Sequence, residues 1–282
     1  MAQPLVLSHF QAEALLAARQ AGQSTVCVTP DLNRTQVDAT LDGNGVRFPT
    51  GDFLTWQQIG KIAESDNQCF LIASGEIRLI SIFSDQTNWA RSLYPTSGAP
   101  STLVAGFPMH RVKDTDPYVD TLKKVAALGP VVGNVLDTTT GLGYTAIELA
   151  KSATLVTTIE LDPAALDIAR LNPWSQELFS NPRILSLTGD AFEVVSDFGD
   201  GSFSAILHDP PTFSLAGELY SEKFYLQLHR ILLGNGKMFH YVGDPESKLG
   251  KRMTAGVIER LQAAGFRRVV RKPDAFGVVA YK

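Results

Sequence analysis

The segment Asp137-Thr138-Thr139-Thr140-Gly141-Leu142-Gly143-Tyr144-Thr145 puts an acid ahead of two glycines where a strand-like run gives way to a helix-like one. Glycines at such a turn let the backbone bend sharply and come close to a ligand, while the free N–H groups of the helix start point at any acceptor the ligand offers. Glu160 follows about 20 residues on, at the end of the next strand-like run, where a carboxylate can take both hydroxyls of a ribose. The run Thr188-Gly189-Asp190-Ala191 offers an adenine edge a carboxylate beside a backbone N–H, or gives the helix from Ala191 its N-cap; both roles are compatible. A later run, His208-Asp209-Pro210-Pro211-Thr212-Phe213, ends another strand, at the carboxyl edge where open α/β sheets bind ligands. Its rigid Pro-Pro pair fixes the chain direction, so that Asp209 and the following carbonyls face a target amine and Phe213 presents an aromatic face to a planar ring.

Glycine turn and ribose acid together leave two adenosine-bearing cofactors open, a nicotinamide dinucleotide and S-adenosylmethionine. Asp137 would sit against the anionic pyrophosphate of the first but suits the cationic amino-acid part of the second, and so favours the methyl donor. The matching chemistry is an in-line displacement at a sulfonium methyl, for which proximity and alignment supply most of the rate. His208 and His240 stand near the ends of neighbouring strands, where either can serve as a base, although packing or hydrogen bonding is the commoner role of a lone histidine. Tyr220 is expected to pack on the core at a helix start rather than form a lid. Asn172-Pro173-Trp174 reads as a helix stop with an aromatic anchor, the alternative being contact with the cofactor's adenine.

The elements that must hold these residues change character near Asp116. Before it, short β-like runs (Ser24–Thr29, Val37–Leu41, Ile77–Phe83) alternate with Gly, Asn, Asp and Pro punctuation, a helix is expected over Thr55–Glu64, and Tyr94–Thr102 reads as a loop. We expect residues 1–115 to form a small mixed α/β domain and residues 116–282 the cofactor-binding domain. Asp116 and Pro117 open a helix that stops at Gly129-Pro130. Strands then alternate with helices: strands at Asn134–Asp137, Thr154–Glu160, Arg183–Thr188, Phe203–His208 and Lys237–Val242; helices at Tyr144–Lys151, Ala164–Leu171, Ala191–Ser196, Tyr220–Leu232 and Met253–Ala264. That order predicts a parallel sheet covered on both faces. Phe266–Lys272 and Phe276–Tyr281, joined at Pro273-Asp274, predict a final strand that returns antiparallel to its neighbour.

With those motifs in place, residues 117–282 resemble class I S-adenosylmethionine-dependent methyltransferases through Asp-x-x-x-Gly-x-Gly at 137–143, the acid Glu160, Gly-Asp-Ala at 189–191 and the C-terminal hairpin. The resemblance implies a Rossmann-like seven-stranded sheet with an antiparallel C-terminal hairpin, a donor over the strand ends, and donor contacts from Asp137, Thr138, Gly141, Gly143, Glu160, Leu161, Asp190 and Ala191. More narrowly, Asp-Thr-Thr-Thr-Gly-Leu-Gly-Tyr-Thr-Ala and His-Asp-Pro-Pro resemble a poorly characterised group of predicted methyltransferases sometimes labelled spermine- or spermidine-synthase-like. Aminopropyltransferases typically carry three successive glycines followed by an acid at the cofactor loop, and Thr138–Gly143 departs from that pattern. Asp209-Pro210-Pro211-Thr212-Phe213-Ser214 is similar to methyltransferases acting on nitrogen, especially ribosomal-RNA enzymes of the guanine-N7 type. It implies a catalytic set of Asp209, Pro210, Pro211 and Phe213 and a nucleobase nitrogen, with RNA favoured, as acceptor. Aminopropyl transfer to a polyamine and a non-catalytic donor-binding module are the competing readings.

Composition sets the frame. The 282 residues are 44% hydrophobic and 19% charged, which suits a folded globular chain with room for two domains. A net charge of −4 argues against a broad phosphate-binding surface. Local basic clusters remain at Arg111 and Lys113, at Lys248, Lys251 and Arg252, and at Arg267, Arg268, Arg271 and Lys272; gathered near Asp209 they would favour an RNA acceptor. Cys27 and Cys69 stand apart in apolar surroundings and are expected to be buried, reduced thiols, with too few ligands for a metal site; neither lies in the half that holds Asp209, which disfavours cytosine-C5 chemistry. No signal peptide or membrane span is expected, and the expected location is a reducing cytoplasm.

Overall fold

Asn134–Asp137 (β1), Leu155–Glu160 (β2), Ile184–Thr188 (β3), Phe203–His208 (β4), Leu232–Tyr241 (β5), Arg268–Lys272 (β6) and Gly277–Tyr281 (β7) form one seven-stranded sheet in the order β3-β2-β1-β4-β5-β7-β6. The computed structural model describes residues 5–282, so the first four residues of the expected N-terminal domain lie outside the described residues. The interior strands β2 and β4 are buried along almost their whole length, because helices cover both faces, whereas the edge strands β3 and β6 are half-buried or exposed throughout. β1 to β5 run parallel, and β7 inserts antiparallel between β5 and β6, as the run-turn-run pattern at the C-terminus predicts.

The crossovers carry helices at Pro117–Leu128 (α1, preceding the sheet), Tyr144–Leu149 (α2), Pro163–Leu171 (α3), Ala191–Val194 (α4), Glu222–Ile231 (α5) and Lys248–Ala263 (α6). Asp116 caps α1 by accepting the Tyr118 N–H at 2.8 Å, and Asp190 caps α4 by accepting that of Phe192 at 2.8 Å. α6 begins five residues before its apolar periodicity does, at Lys248 rather than Met253, because Ser247 Oγ accepts the Gly250 N–H at 2.9 Å and starts a polar first turn. α5 starts at Glu222, capped by Ser221, and leaves Tyr220 in a preceding 3₁₀ turn. Tyr225, Phe224, Leu228, Met238, Val257 and Phe266 form the centre of the apolar layer between these helices and the sheet.

The chain divides into two compact units: residues up to 118 with 164–176, and residues 119–163 with 177–282. The described residues of the first unit hold three antiparallel sheets and the helices His9–Gln20 and Trp56–Ala63, together with nearly all of α3. The second of these helices starts in a capping box, in which Thr55 Oγ1 accepts from the Gln58 N–H and the Gln58 side chain accepts from the Thr55 N–H. Leu7, Leu15, Val46, Leu54, Ile59 and Ile62 are the centre of its core.

Two expectations for this unit need correction. The run Ile77–Phe83 is two strands, Glu76–Leu79 and Ser81–Ser84, in different sheets; the chain changes sheet at Ile80, whose side chain is buried and whose N–H and C=O bond to Cys69 and Leu93. Cys27 is exposed rather than buried: its strand, Thr25–Val28, is at a sheet edge, and the period of two turns Cys27 outward while Val28 goes in. Within the same unit Trp174 Nε1 donates to the Leu32 carbonyl at 2.8 Å, the Arg34 guanidinium donates to that of Pro173 at 2.7 Å, and the Tyr118 and Trp174 rings lie 5.3 Å apart. Trp174 is therefore an anchor for the 164–176 segment.

Candidate functional site

The ends of β1, β2 and β4 carry a set of polar residues that would be costly to bury unless bonded. Asp137, fully buried at the end of β1, accepts on Oδ2 from the hydroxyls of Thr145 at 2.8 Å and Thr158 at 3.1 Å, while its Oδ1 has no hydrogen-bond partner. Burial drives its pKa up to about 7, against the two hydroxyls and the nearby Thr139 amide, which favour the anion. Thr138 turns inward: its N–H bonds Leu207 O at 3.1 Å and its hydroxyl lies 2.6 Å from His208 Nδ1. Gly141 (φ 54°) and Gly143 (φ 78°) both adopt the left-handed conformation. Space around Gly141 is open, whereas a Cβ on Gly143 would lie 2.7 Å from Leu178.

Glu160 ties the second strand to this turn. One carboxylate oxygen accepts the Gly141 N–H at 2.8 Å and the other the Asp162 N–H at 3.1 Å, while its backbone carbonyl accepts the Gly189 N–H at 2.8 Å. That last bond draws the Asp190 segment alongside. Asp190 is exposed, Ala191 is buried, and Leu161 is 45% exposed beside Glu160.

Asp209 meets the same turn from β4. The Thr139 hydroxyl donates to the Asp209 carbonyl at 2.7 Å, so the glycine turn and the Asp-Pro-Pro run are joined directly. Pro210 is buried; Pro211 is exposed and its carbonyl accepts the Tyr220 hydroxyl at 2.9 Å. Phe213 is 49% exposed and meets the Tyr220 ring edge-on at 5.6 Å. Tyr220 itself is buried and packs on the core, so it braces the Asp-Pro-Pro run from below.

The Asp209 carboxylate also has a partner that motif reading missed. Lys124 Nζ lies 2.6 Å from Asp209 Oδ2 and 2.9 Å from Asp120, with its charge 4.5 Å from the centre of the Tyr241 ring. Burial works against its charge, but the two carboxylates outweigh it and hold Lys124 protonated. Burial pushes the Asp209 carboxyl upward while Lys124 pulls it back. The available signal was the i, i+4 pair on α1, which reads on its own as a solvated ion pair.

Both histidines are fully buried. His208 Nε2 lies 3.0 Å from the Leu219 carbonyl, and His240 Nε2 lies 2.8 Å from the Tyr225 hydroxyl. Burial lowers the His208 pKa to about 3 and takes His240 well below its ordinary value, so both are neutral structural groups. A neutral buried histidine adds stability in full above its unfolded pKa of about 6.5, and that contribution is lost as pH falls towards the folded value. Asp137 acts in the opposite sense, since its raised pKa gives stability that is present below pH 4 and lost as pH rises through about 7. Urea titrations across pH 4–8 should therefore show the acid slope flattened by His208→Asn, by on the order of 3 kcal/mol at pH 4, and steepened by Asp137→Asn.

The basic clusters separate. The register Lys272–Gly277–Tyr241 and the start of α6 bring Arg271, Lys272, Lys248, Lys251 and Arg252 to the carboxyl edge of the sheet, the edge that carries Asp209; Arg267 and Arg268 lie at the other end of β6, and Arg111 and Lys113 belong to the first unit.

No protein-family model matches the chain. The uncharacterized protein MJ1233 of Methanocaldococcus jannaschii is 42% identical to it over 258 residues, which span 89% of this chain and 88% of that protein. The chain belongs to the family of MJ1233. Polyamine aminopropyltransferase 2 of Streptomyces coelicolor shares 27% identity over 126 residues, 43% of this chain but 22% of that protein, so the likeness concerns about a fifth of its length. Among solved structures, spermidine synthase in complex with the transition-state analogue AdoDATO superimposes with a TM-score of 0.58 at 20% identity, over 73% of this chain and 75% of that one. MnmC2 from Aquifex aeolicus gives 0.51 at 18% identity, over 67% and 70%. At these identities the likeness is one of fold: this member of the MJ1233 family has the Rossmann-like sheet that class I methyltransferases and spermidine synthases share. No helix among the described residues is long and apolar enough to cross a membrane.

Proposed function

We propose that the chain is an S-adenosylmethionine-dependent methyltransferase acting on a nitrogen of a planar acceptor, a nucleobase of RNA being favoured. The observation that carries the reading is the junction of the glycine turn with the Asp-Pro-Pro run, made by Thr139 and the Asp209 carbonyl at 2.7 Å. The donor fits the residues present. Asp137 has a buried oxygen without a hydrogen bond and suits a cationic ligand, Gly141 leaves open space above the turn, and Glu160 sits at a strand end with a carboxylate that can trade the Gly141 N–H for ribose hydroxyls. We assign donor contacts to Asp137, the Thr138 backbone, Gly141, Gly143, Glu160, Leu161, Asp190 and Ala191, and acceptor contacts to Asp209, Pro210, Pro211 and Phe213. Residues 116–282 would form the donor-binding domain and 1–115 an accessory one.

S-Adenosylmethionine, when bound, supplies a methyl carbon on a positively charged sulfur. Asp209 accepts a hydrogen bond from the acceptor N–H and aims the nitrogen lone pair. Once the N–C bond has formed and the C–S electron pair has stayed on sulfur, Asp209 takes the proton that nitrogen sheds and passes it to solvent. Pro210 and Pro211 hold the carboxylate still, and Phe213 stacks on the acceptor ring. The basic residues at the same sheet edge favour a polyanionic acceptor.

Aminopropyl transfer is the second reading, favoured by the names of the Streptomyces coelicolor relative and of the spermidine synthase fold neighbours. Calorimetry separates the two: S-adenosylmethionine should bind, the decarboxylated donor should bind at least tenfold more weakly, and the reverse order would favour the second reading.

A further inference from the structure

The two oxygens of the Asp209 carboxylate are unequal. Oδ2 is taken by Lys124 at 2.6 Å, while Oδ1 accepts no hydrogen bond from the described residues, and the side chain retains 20% exposure against 5% for Lys124. Lys124 is fixed from the other side by Asp120 at 2.9 Å, one turn earlier on α1, and from above by the Tyr241 ring. Of the three donors of its ammonium, one is committed to Asp209, and the charge is also paired with Asp120. The trio of Asp120, Lys124 and Asp209 carries one net negative charge, not the two that its carboxylates alone would bring.

We propose that Lys124 is a positioning and specificity residue, which occupies one oxygen of Asp209 so that the other admits a neutral N–H of a planar ring or amide and refuses a polyamine ammonium. The proposal rests on the nitrogen-acceptor reading above and deepens it. A second ammonium on Oδ1 would approach Lys124 to within the width of one carboxylate, in a site sheltered from screening, where like charges repel strongly. A neutral N–H meets no such repulsion and still finds an ionised acceptor. The other titratable groups that face Asp209 are Asp120, Asp137 at the end of β1, and the Tyr220 hydroxyl, a set with no second cation to take over the role of Lys124.

The test is a calorimetric titration of spermidine into the full-length wild type, Lys124→Arg, Lys124→Met and the double variant Lys124→Met/Asp120→Asn, each checked by thermal melting. The double variant removes one carboxylate with the cation and so guards against misfolding of the single one. Wild type and Lys124→Arg should show no spermidine binding at millimolar concentration, whereas the folded variants without the cation should gain at least tenfold in affinity. Carbon-13 titration of labelled aspartate should show Asp209 titrating higher in Lys124→Met/Asp120→Asn than in Lys124→Arg, a change that mere support of the fold would not produce. Spermidine binding by the wild type as tight as that of the variants, or none by either cation-free variant, overturns the proposal. A parallel titration with S-adenosylmethionine keeps the two questions apart, because failure of the wild type to bind it defeats the methyltransferase reading and leaves the spermidine comparison intact.

Discussion

Asp209→Ala is expected to lower methyl transfer by about a hundredfold to ten-thousandfold while leaving donor affinity within about threefold of the wild type. The side chain faces the acceptor, whereas its backbone makes the link to the glycine turn: the Thr139 hydroxyl bonds the Asp209 carbonyl, which alanine retains. What alanine removes is the aim of the nitrogen and the route for its proton. The substitution also leaves Lys124 with Asp120 alone, so the loss of one charge-assisted hydrogen bond, roughly 1.5–3 kcal/mol of stability, accompanies it. Asp209→Asn, which keeps the shape and offers an oxygen to Lys124, separates the two effects: stability should largely return and transfer should not. Single-turnover assays with methyl-labelled donor and cellular RNA, run beside donor calorimetry, are the measurements. Full activity of a folded Asp209→Ala protein would move the acceptor elsewhere.

The two glycines of the turn should respond differently to the same added methyl group. Gly141→Ala places a left-handed alanine in open space, so its cost in stability is about 1 kcal/mol. That space is where we place the donor, and its affinity should fall by about a hundredfold through steric exclusion. Gly143→Ala puts its new carbon 2.7 Å from Leu178, which is 3% exposed and fixed in the core. Strain and overlap together should cost roughly 2–4 kcal/mol, so binding and thermal stability fall together. A Gly141→Ala protein that binds S-adenosylmethionine as the wild type does would remove the turn from the donor site.

Much of this was legible from residue order. The strand-turn-helix at Asp137–Thr145 and the acid at Glu160 are local patterns, and the returning hairpin at 268–281 is written in two β-like runs and one turn. Two features were not legible, each for its own reason. Lys124 and Asp120 lie on the inward face of α1 with Thr121 and Leu128, while Val119 and Leu122 are 41% and 42% exposed. Apolar periodicity therefore points to the wrong face, because the decisive contact, with Asp209, spans 85 residues of sequence. The break at Ile80 is silent, since a strand that changes sheet keeps its β-like composition. The structural role of His208 and His240 was the favoured reading, and what the fold adds is their depth, since both are fully buried.

The first unit draws residues 164–176 from beyond the first two strands of the large sheet. During synthesis, then, the earliest part of the polypeptide leaves the ribosome without the indole that its Leu32 carbonyl awaits. It stays incomplete until a much later stretch has been translated. Maturation of the two halves is thereby coupled in time, and a fragment cut at residue 118 would lack a piece of itself.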